Sequence, residues 1–369
     1  MASKRVRKAK KKFLRFICLL LVAVIILGAL YCYKKFFKGE ETPVTGEISF
    51  HFLELGNEYA GDCIYVKAGD NDILIDAGSR ASSVKTIDAY LKKYVKDGTL
   101  EYVIATHADQ DHIAGFAAND GIFDLYKCEV IIDFPLTNKT TKVYNNYLVK
   151  RQAEVEEGAT HLTALECYNN QNGGKRVYDL SSDGSVKMEI LYNYFYENKT
   201  NDENDYSVCL QFIHGARKFL FTGDLEKEGE ELLVKNNNLS QVELFKAGHH
   251  GSKTSSTDKL LSVIKPKIVC VCCCAGSVEY TQNLENTFPT QAMIDRVSAF
   301  TDKVYVTTVI DVLQVDDKYQ NVDHYELLNG NIVVSSSENE VLVNCSNNNT
   351  LLKDTEWFKN NRQMPLAWS

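Results

Sequence analysis

Between residues 102 and 116 the chain reads YVIATHADQDHIAGF. The apolar run from Tyr102 to Ala105 gives way at once to His107, Asp109, Asp111 and His112. Two imidazoles and two carboxylates within six residues are ligands that a divalent cation such as Zn²⁺ or Mn²⁺ accepts. A strand that stops here would splay its first loop residues around an ion, with Gly115 letting a helix start close by. Three more segments share this grammar: Asp76 stands in LIDAG where the apolar run stops, Asp224 ends FTGD, and His249 and His250 end KAGHH. Asp76 is placed to accept hydrogen bonds from the neighbouring loop. Strands of one sheet deliver their ends to one edge, so these remote residues can meet there.

Delivering them requires alternating strands and helices, and the sequence supplies both. Residues 48–55 alternate, and 63–67 and 73–77 are short apolar runs bounded by turn residues, so all three read as strands. Ser82 or Ser83 caps a helix carrying Val84, Ile87, Leu91, Tyr94 and Val95 at helical spacing. Residues 130–134 and 187–191 read as strands and 147–157 as a helix. Further strands are expected at 208–213, 217–222, 242–247, 268–271 and 304–308. Between them lie a helix with Glu226 and Glu228 in its first turn, one capped by Ser256 or Thr257, and one opened by Pro289. The order implies a layered α/β body. The tail beyond Asp311 is polar and Asn-rich, with one strand expected at 340–343.

Charge divides the 369 residues at their start. Residues 16–33 carry no charge, and eighteen helical residues at ~1.5 Å each span about 27 Å, close to a bilayer's hydrocarbon thickness. Eight basic residues precede this run, so it reads as an uncleaved anchor, with residues 1–15 cytoplasmic and the rest of the chain across the cell membrane. A polar linker, 34–46, follows. Beyond residue 39 stand 30 basic and 49 acidic residues, a net of −19, which repels nucleic acid on average. The 11 cysteines show no disulfide-framework spacing; Cys270, Cys272, Cys273 and Cys274 read as a buried strand of small residues rather than a thiolate site.

The combination of LIDAG, H-x-D-x-D-H, a TGD turn and a late His resembles the metallo-β-lactamase superfamily. HADQDHIAG, FTGDLEKEGEELL and KAGHHGSKTSS more narrowly resemble the hydrolase-like domain of ComEC-type DNA-uptake proteins. The resemblance covers residues 47–312 and implies a four-layer αββα sandwich there; the single N-terminal transmembrane helix expected from residues 16–33 precedes it, and 313–369 are expected as a C-terminal extension packed on or trailing the domain. It also implies two divalent metal ions, Zn²⁺ or Mn²⁺. His107 and Asp109 would hold one; Asp111, His112 and His249 the other; Asp224 would bridge them. Asp111, Asp224 and His250 would carry the catalytic roles, with a metal-activated water as nucleophile and Ser252 assisting at the phosphate.

Three departures from the resemblance matter. Asp109 stands where the wider superfamily usually has His, and the third motif has no His but Asn204-Asp205-Tyr206-Ser207, which makes Asp205 and Ser207 candidates there. Phe288-Pro289 replaces a His-Pro pair. The implied function is a membrane-anchored, competence-related hydrolase of phosphodiesters, with the acidic body favouring a small substrate over DNA. Thioester or lactam hydrolysis on the same fold, and a non-catalytic metal-binding scaffold, are the competing readings.

Overall fold

Chain order explains how two sheets arise from one run of short strands. The computed structural model describes residues 47–369. Strands β1 (Ile48–Phe52), β2 (Ile64–Ala68) and β3 (Asn71–Ile75) form an antiparallel meander. Helical crossovers then add β4 (Thr99–Ala105), β5 (Lys127–Asp133) and β6 (Thr160–Thr163) in parallel. The second sheet begins with antiparallel β7 (Val177–Asp179), β8 (Val186–Ile190), β9 (Leu210–His214) and β10 (Arg217–Phe221). It continues in parallel through β11 (Leu244–Lys246), β12 (Ile268–Ala275) and β13 (Val304–Val309). A hairpin, β14 (Val312–Val315) and β15 (Lys318–Asn321), stands apart from both sheets, and β16 (Glu326–Leu327) edges the second.

The chain then returns: β17 (Ile332–Ser336) pairs with β1, and β18 (Val341–Cys345) closes that edge. Each sheet has eight strands. The polar tail thus adds β16 to one sheet and β17 and β18 to the other. The expected strand at 340–343 is present as β18, while β17 has no counterpart in the sequence reading.

Strands β1, β11 and β12 are buried along their whole length, because both faces of their sheets are covered. Phe50 of β1 meets Phe212, Phe219 and Phe221 of the other sheet at ring-centroid distances of 5.3, 4.7 and 5.3 Å, which closes the sandwich. A second apolar cluster joins Phe245, Val269 and Val271 to Leu260, Leu261, Ile264, Met293, Ile294 and Val297 of the helices Asp258–Ile264 and Gln291–Ser298. Val84, Ile87 and Leu91 of the helix Ser83–Leu91 pack with the first sheet, giving the αββα layering. Strand β12 is buried along its whole length; Cys270 and Cys272 join the first cluster and Cys273 the second, and all described cysteines are free.

Among the described residues no helix is long and apolar enough to cross a membrane. The expected anchor, residues 16–33, lies outside the described residues, as do 1–15 and 34–46.

Candidate metal centre

Parallel strands β3 and β4 of one sheet and β10, β11 and β12 of the other bring their C-terminal ends to one side of the sandwich. Asp76 follows β3, the His107–His112 loop follows β4, Asp224 follows β10, and His249 and His250 follow β11. The helix Gln110–Ala117 starts inside the loop and lies hard against the end of β3. Gly115 permits this: its amide donates to the Ala77 carbonyl at 3.0 Å, and a Cβ there would stand 2.2 Å from that oxygen. Gly223, before Asp224, has φ +55 and no room for a side chain beside Ser207 and Thr106.

Asp62, His112, Asp224 and His250 converge, with one ligand atom from each within 4.8 Å of the others. Both histidines are oriented from behind. His112 Nδ1 lies 2.7 Å from Asp76 Oδ2, and His250 Nδ1 lies 3.0 Å from the Cys272 carbonyl. Their Nε2 atoms then face the same carboxylate oxygen, Asp224 Oδ2, at 3.1 and 3.0 Å. Asp111 Oδ2 is 3.3 Å from His250 Nε2. Carboxylate or carbonyl partners behind metal-binding imidazoles fix tautomer and ring orientation in this way.

The electrostatics are those of a crowded, dry site. Burial opposes charge on His112, yet Asp224 and Asp76 outweigh it and lift its pKa well above the ordinary value. His250 is lifted likewise against its burial, by Asp224 and Asp62. Burial alone would raise Asp224, but His250, Lys246 and His112 pull it well below the usual carboxylate range. Lys246 is buried beneath the cluster, ion-paired to Asp62, with Nζ 3.1 Å from Asp224 Oδ1 and from the Gly223 carbonyl.

These residues fit a divalent cation. Asp224 Oδ2 meets both His112 Nε2 and His250 Nε2, Asp111 Oδ2 approaches the latter, and among the described residues His107 Nε2 is buried without a hydrogen-bond partner. A buried polar atom left unmatched is costly, and a cation facing it removes that cost.

The expected residues fall into three groups. His112, Asp224 and Asp111 stand at the cluster, and Asp76 supports it by accepting from the Thr106 amide and hydroxyl, each at 2.8 Å. His107 and Asp109 form a separate flank: His107 Nε2 lies 3.7 Å from Asp109 Oδ2, while Asp109 also pairs with Lys139. Burial, then His112, hold His107 well below its ordinary pKa. Ser207 supports this flank, its hydroxyl accepting from the Asp224 amide at 3.1 Å and lying 3.4 Å from His107 Nδ1.

His250, not His249, joins the cluster; His249 lines the open cleft with Nδ1 3.0 Å from Glu226 Oε1. The reason is a backbone with φ 46 and 52 at these two residues, which turns the second ring inward. Asp205 directs a carboxylate oxygen at the Glu226 amide, 3.2 Å away, and is absent from the cluster; burial and then Asp202 raise its pKa to about 7. Ser252 is engaged in its own turn, with its hydroxyl on Thr254 and its amide on the His249 carbonyl. Asp62 and Lys246 were missed, although each is a charged residue set against an apolar strand.

This sandwich, with metal-ligating residues gathered on one side, is that of a metal-dependent hydrolase, and the chain belongs to the metallo-β-lactamase superfamily. The sequence model of that superfamily matches residues 56–142 and 200–275. Within it, the chain is similar to Competence protein ComA of Neisseria gonorrhoeae, 28% identical over 79% of this chain and 35% of that protein. It is also similar to ComE operon protein 3 of Bacillus subtilis, 25% identical over 46% of this chain and 19% of that one. These relatives place it in the ComEC-like branch, and the chain spans about a third or less of their length. Among solved structures it is similar to the metallo-beta-lactamase fold protein YhfI of Bacillus subtilis, with 11% identity, a TM-score of 0.41, and coverage of 70% of this chain and 96% of that one.

Proposed function

We propose that the protein hydrolyses phosphodiesters of small substrates with divalent metal held at this centre. The observation that carries the reading is the convergence of His112 Nε2 and His250 Nε2 on Asp224 Oδ2, each ring fixed through its other nitrogen. Asp111, His112, Asp224 and His250 would hold one ion, with Asp62 behind them on Lys246 and the Nδ1 side of His250, and His107 with Asp109 would contribute to a second, with Asp224 between them. The oxygen-rich set suits Mn²⁺ as well as Zn²⁺. Such ions supply Lewis-acid polarisation of a phosphoryl oxygen.

The chain's own groups do the rest. His249 lines the cleft, and Glu226 Oε1, 3.0 Å from its Nδ1, holds the ring so that Nε2 is the nitrogen left to meet a substrate. The cleft holds about 320 Å³ and is lined by Asp109, Asp111, Asp224 and Glu279. Arg80, which lines it, is bonded to Glu279 at 2.7 Å, and the nearby Lys139 is paired with Asp109. A polynucleotide needs a basic track along its backbone, so this cleft favours a short diester. The uncharged run 16–33 would hold this activity at the outer face of the cell membrane.

The full chain, purified in detergent with bound metal quantified, is offered bis-p-nitrophenyl phosphate, single-stranded DNA and a thioester. The proposal expects turnover of the model diester, lost in Asp111→Ala and Asp224→Ala. DNA turned over in preference to the diester would refute the small-substrate reading, and thioester turnover alone would refute phosphodiester chemistry. Bound metal without any turnover would leave the scaffold reading. Protease access to the domain only after cell lysis would overturn the outward orientation.

A further inference from the structure

The loop between β12 and the helix Gln291–Ser298 brings a residue to the centre that neither the motifs nor the ligand cluster include. Tyr280 donates its hydroxyl to Asp111 Oδ2 at 2.9 Å, the same oxygen that lies 3.3 Å from His250 Nε2. Tyr280 is 55% exposed, and its ring leans on Phe288 with centroids 5.9 Å apart; Phe288 in turn meets His250 at 6.0 Å. An aromatic ring left in solvent while its hydroxyl reaches inward is held there by its backbone, and the backbone is anchored on both sides.

Before Tyr280, the Val278 amide donates to Asn321 Oδ1 at 2.9 Å, and Asn321 Nδ2 donates to the Ser277 hydroxyl at 3.0 Å. After it, Gln282 exchanges two bonds with the backbone of Tyr319, at 3.0 and 2.7 Å. Asn321 and Tyr319 both belong to β15, which explains what a hairpin outside both sheets does here. Glu279 fixes the loop to the segment before β2, accepting from the Ala60 amide at 2.9 Å and from Arg80 at 2.7 Å.

From this geometry we infer that Tyr280 is a positioning residue: it sets the Asp111 carboxylate in the orientation that binds the metal, and thereby sets metal affinity. The inference rests on the metal-centre reading above. Once His250 Nε2 turns to a cation, the Tyr280 hydroxyl is the remaining side-chain donor, among the described residues, that holds Asp111 in place. Hydrogen bonds of this kind, one shell out from the ligands, typically govern metal affinity by about 10- to 100-fold.

The test compares the full chain with its Tyr280→Phe variant, which keeps the ring and the loop but lacks the hydroxyl. Mn²⁺ affinity is measured by competition with a fluorescent chelator, and thermal unfolding is recorded in chelator alone. The expected result is a Kd raised about 10- to 100-fold, an unchanged unfolding curve without metal, and diester turnover recovered at saturating Mn²⁺. Equal Mn²⁺ affinity in the two proteins would overturn the role of Tyr280 while leaving the metal centre intact. A wild-type chain that binds no divalent cation would overturn the metal centre and this inference with it. A variant unfolding earlier in chelator, with turnover that excess Mn²⁺ does not restore, would assign Tyr280 to the fold rather than to Asp111.

Discussion

Replacing Asp76 by Asn tests the logic of the centre with little change in shape. Asp76 is fully buried and accepts three hydrogen bonds: from the Thr106 amide at 2.8 Å, the Thr106 hydroxyl at 2.8 Å and His112 Nδ1 at 2.7 Å. In Asp76→Asn the side-chain oxygen can still accept from the Thr106 amide, so the amide nitrogen faces the Thr106 hydroxyl and His112. The hydroxyl can rotate to accept. His112 Nδ1 must also accept, and its proton then resides on Nε2, aimed at Asp224 Oδ2 3.1 Å away. The lone pair a cation needs is thereby occupied.

The expected loss is about 10- to 100-fold in metal affinity, equivalent to about 1.4 to 2.8 kcal/mol. Asn is the right substitute because Asp76 has φ 58, a left-handed conformation that Asn tolerates, whereas Ala would add about 1–2 kcal/mol of backbone strain. Mn²⁺ titration against a competing chelator reads the affinity, and near-ultraviolet circular dichroism confirms that the fold persists. A folded Asp76→Asn protein with wild-type affinity would refute the argument that His112 binds metal through Nε2 under the control of Asp76.

Two further outcomes follow from buried charge. Lys246→Met removes the one ammonium paired with Asp62 and Asp224, and stranding buried carboxylates in this way costs about 3–5 kcal/mol; urea unfolding in chelator should show that loss, and saturating metal should narrow it, whereas wild-type stability in chelator would refute the pairing. Burial pushes Glu230 from the ordinary 4.5 to about 7, against the donors from Ser256 and Thr257, so the folded state holds a proton that the unfolded state releases. Its contribution is complete below pH 4.5 and is lost as pH rises through 7, on the order of 3 kcal/mol in all. Stability measured from pH 4.5 to 7.5 should therefore fall more steeply in wild type than in Glu230→Gln, and parallel curves would refute it.

Much of the centre was legible because strand ends carry a local signature, an apolar run broken by His or Asp. That signature found Asp76, His107, Asp111, His112 and Asp224, yet it passed over Asp62, which precedes its strand. β2 runs antiparallel to β3, with Ile64 opposite Ile75, so the beginning of β2 lies at the same edge as the end of β3. A charged residue before an antiparallel strand therefore deserves the same scrutiny as one after a parallel strand. Lys246 carried a comparable signal: a lysine in an apolar strand has to be met by buried carboxylates, and here it meets two.

The choice between His249 and His250 was of a different kind, because two adjacent identical residues give the sequence nothing to separate them. It is decided by two consecutive left-handed residues and by the Cys272 carbonyl, on a strand whose pairing with β13 shifts register between Val271 and Cys274. Left-handed backbone at non-glycine residues costs about 1–2 kcal/mol each, and such strain persists where the surrounding structure over-determines it. Here the strain separates two imidazoles, sending one to the buried carboxylates and the other to Glu226 at the cleft wall. The Cys-rich strand contributes through a backbone oxygen rather than a thiol, so its small side chains serve packing while its irregular register serves the centre. On the other flank Thr106 and Ser207 hydroxyls stand behind His107 Nδ1, but Asp109 is shared with Lys139, and a second ion there would have to compete with an ammonium already in place.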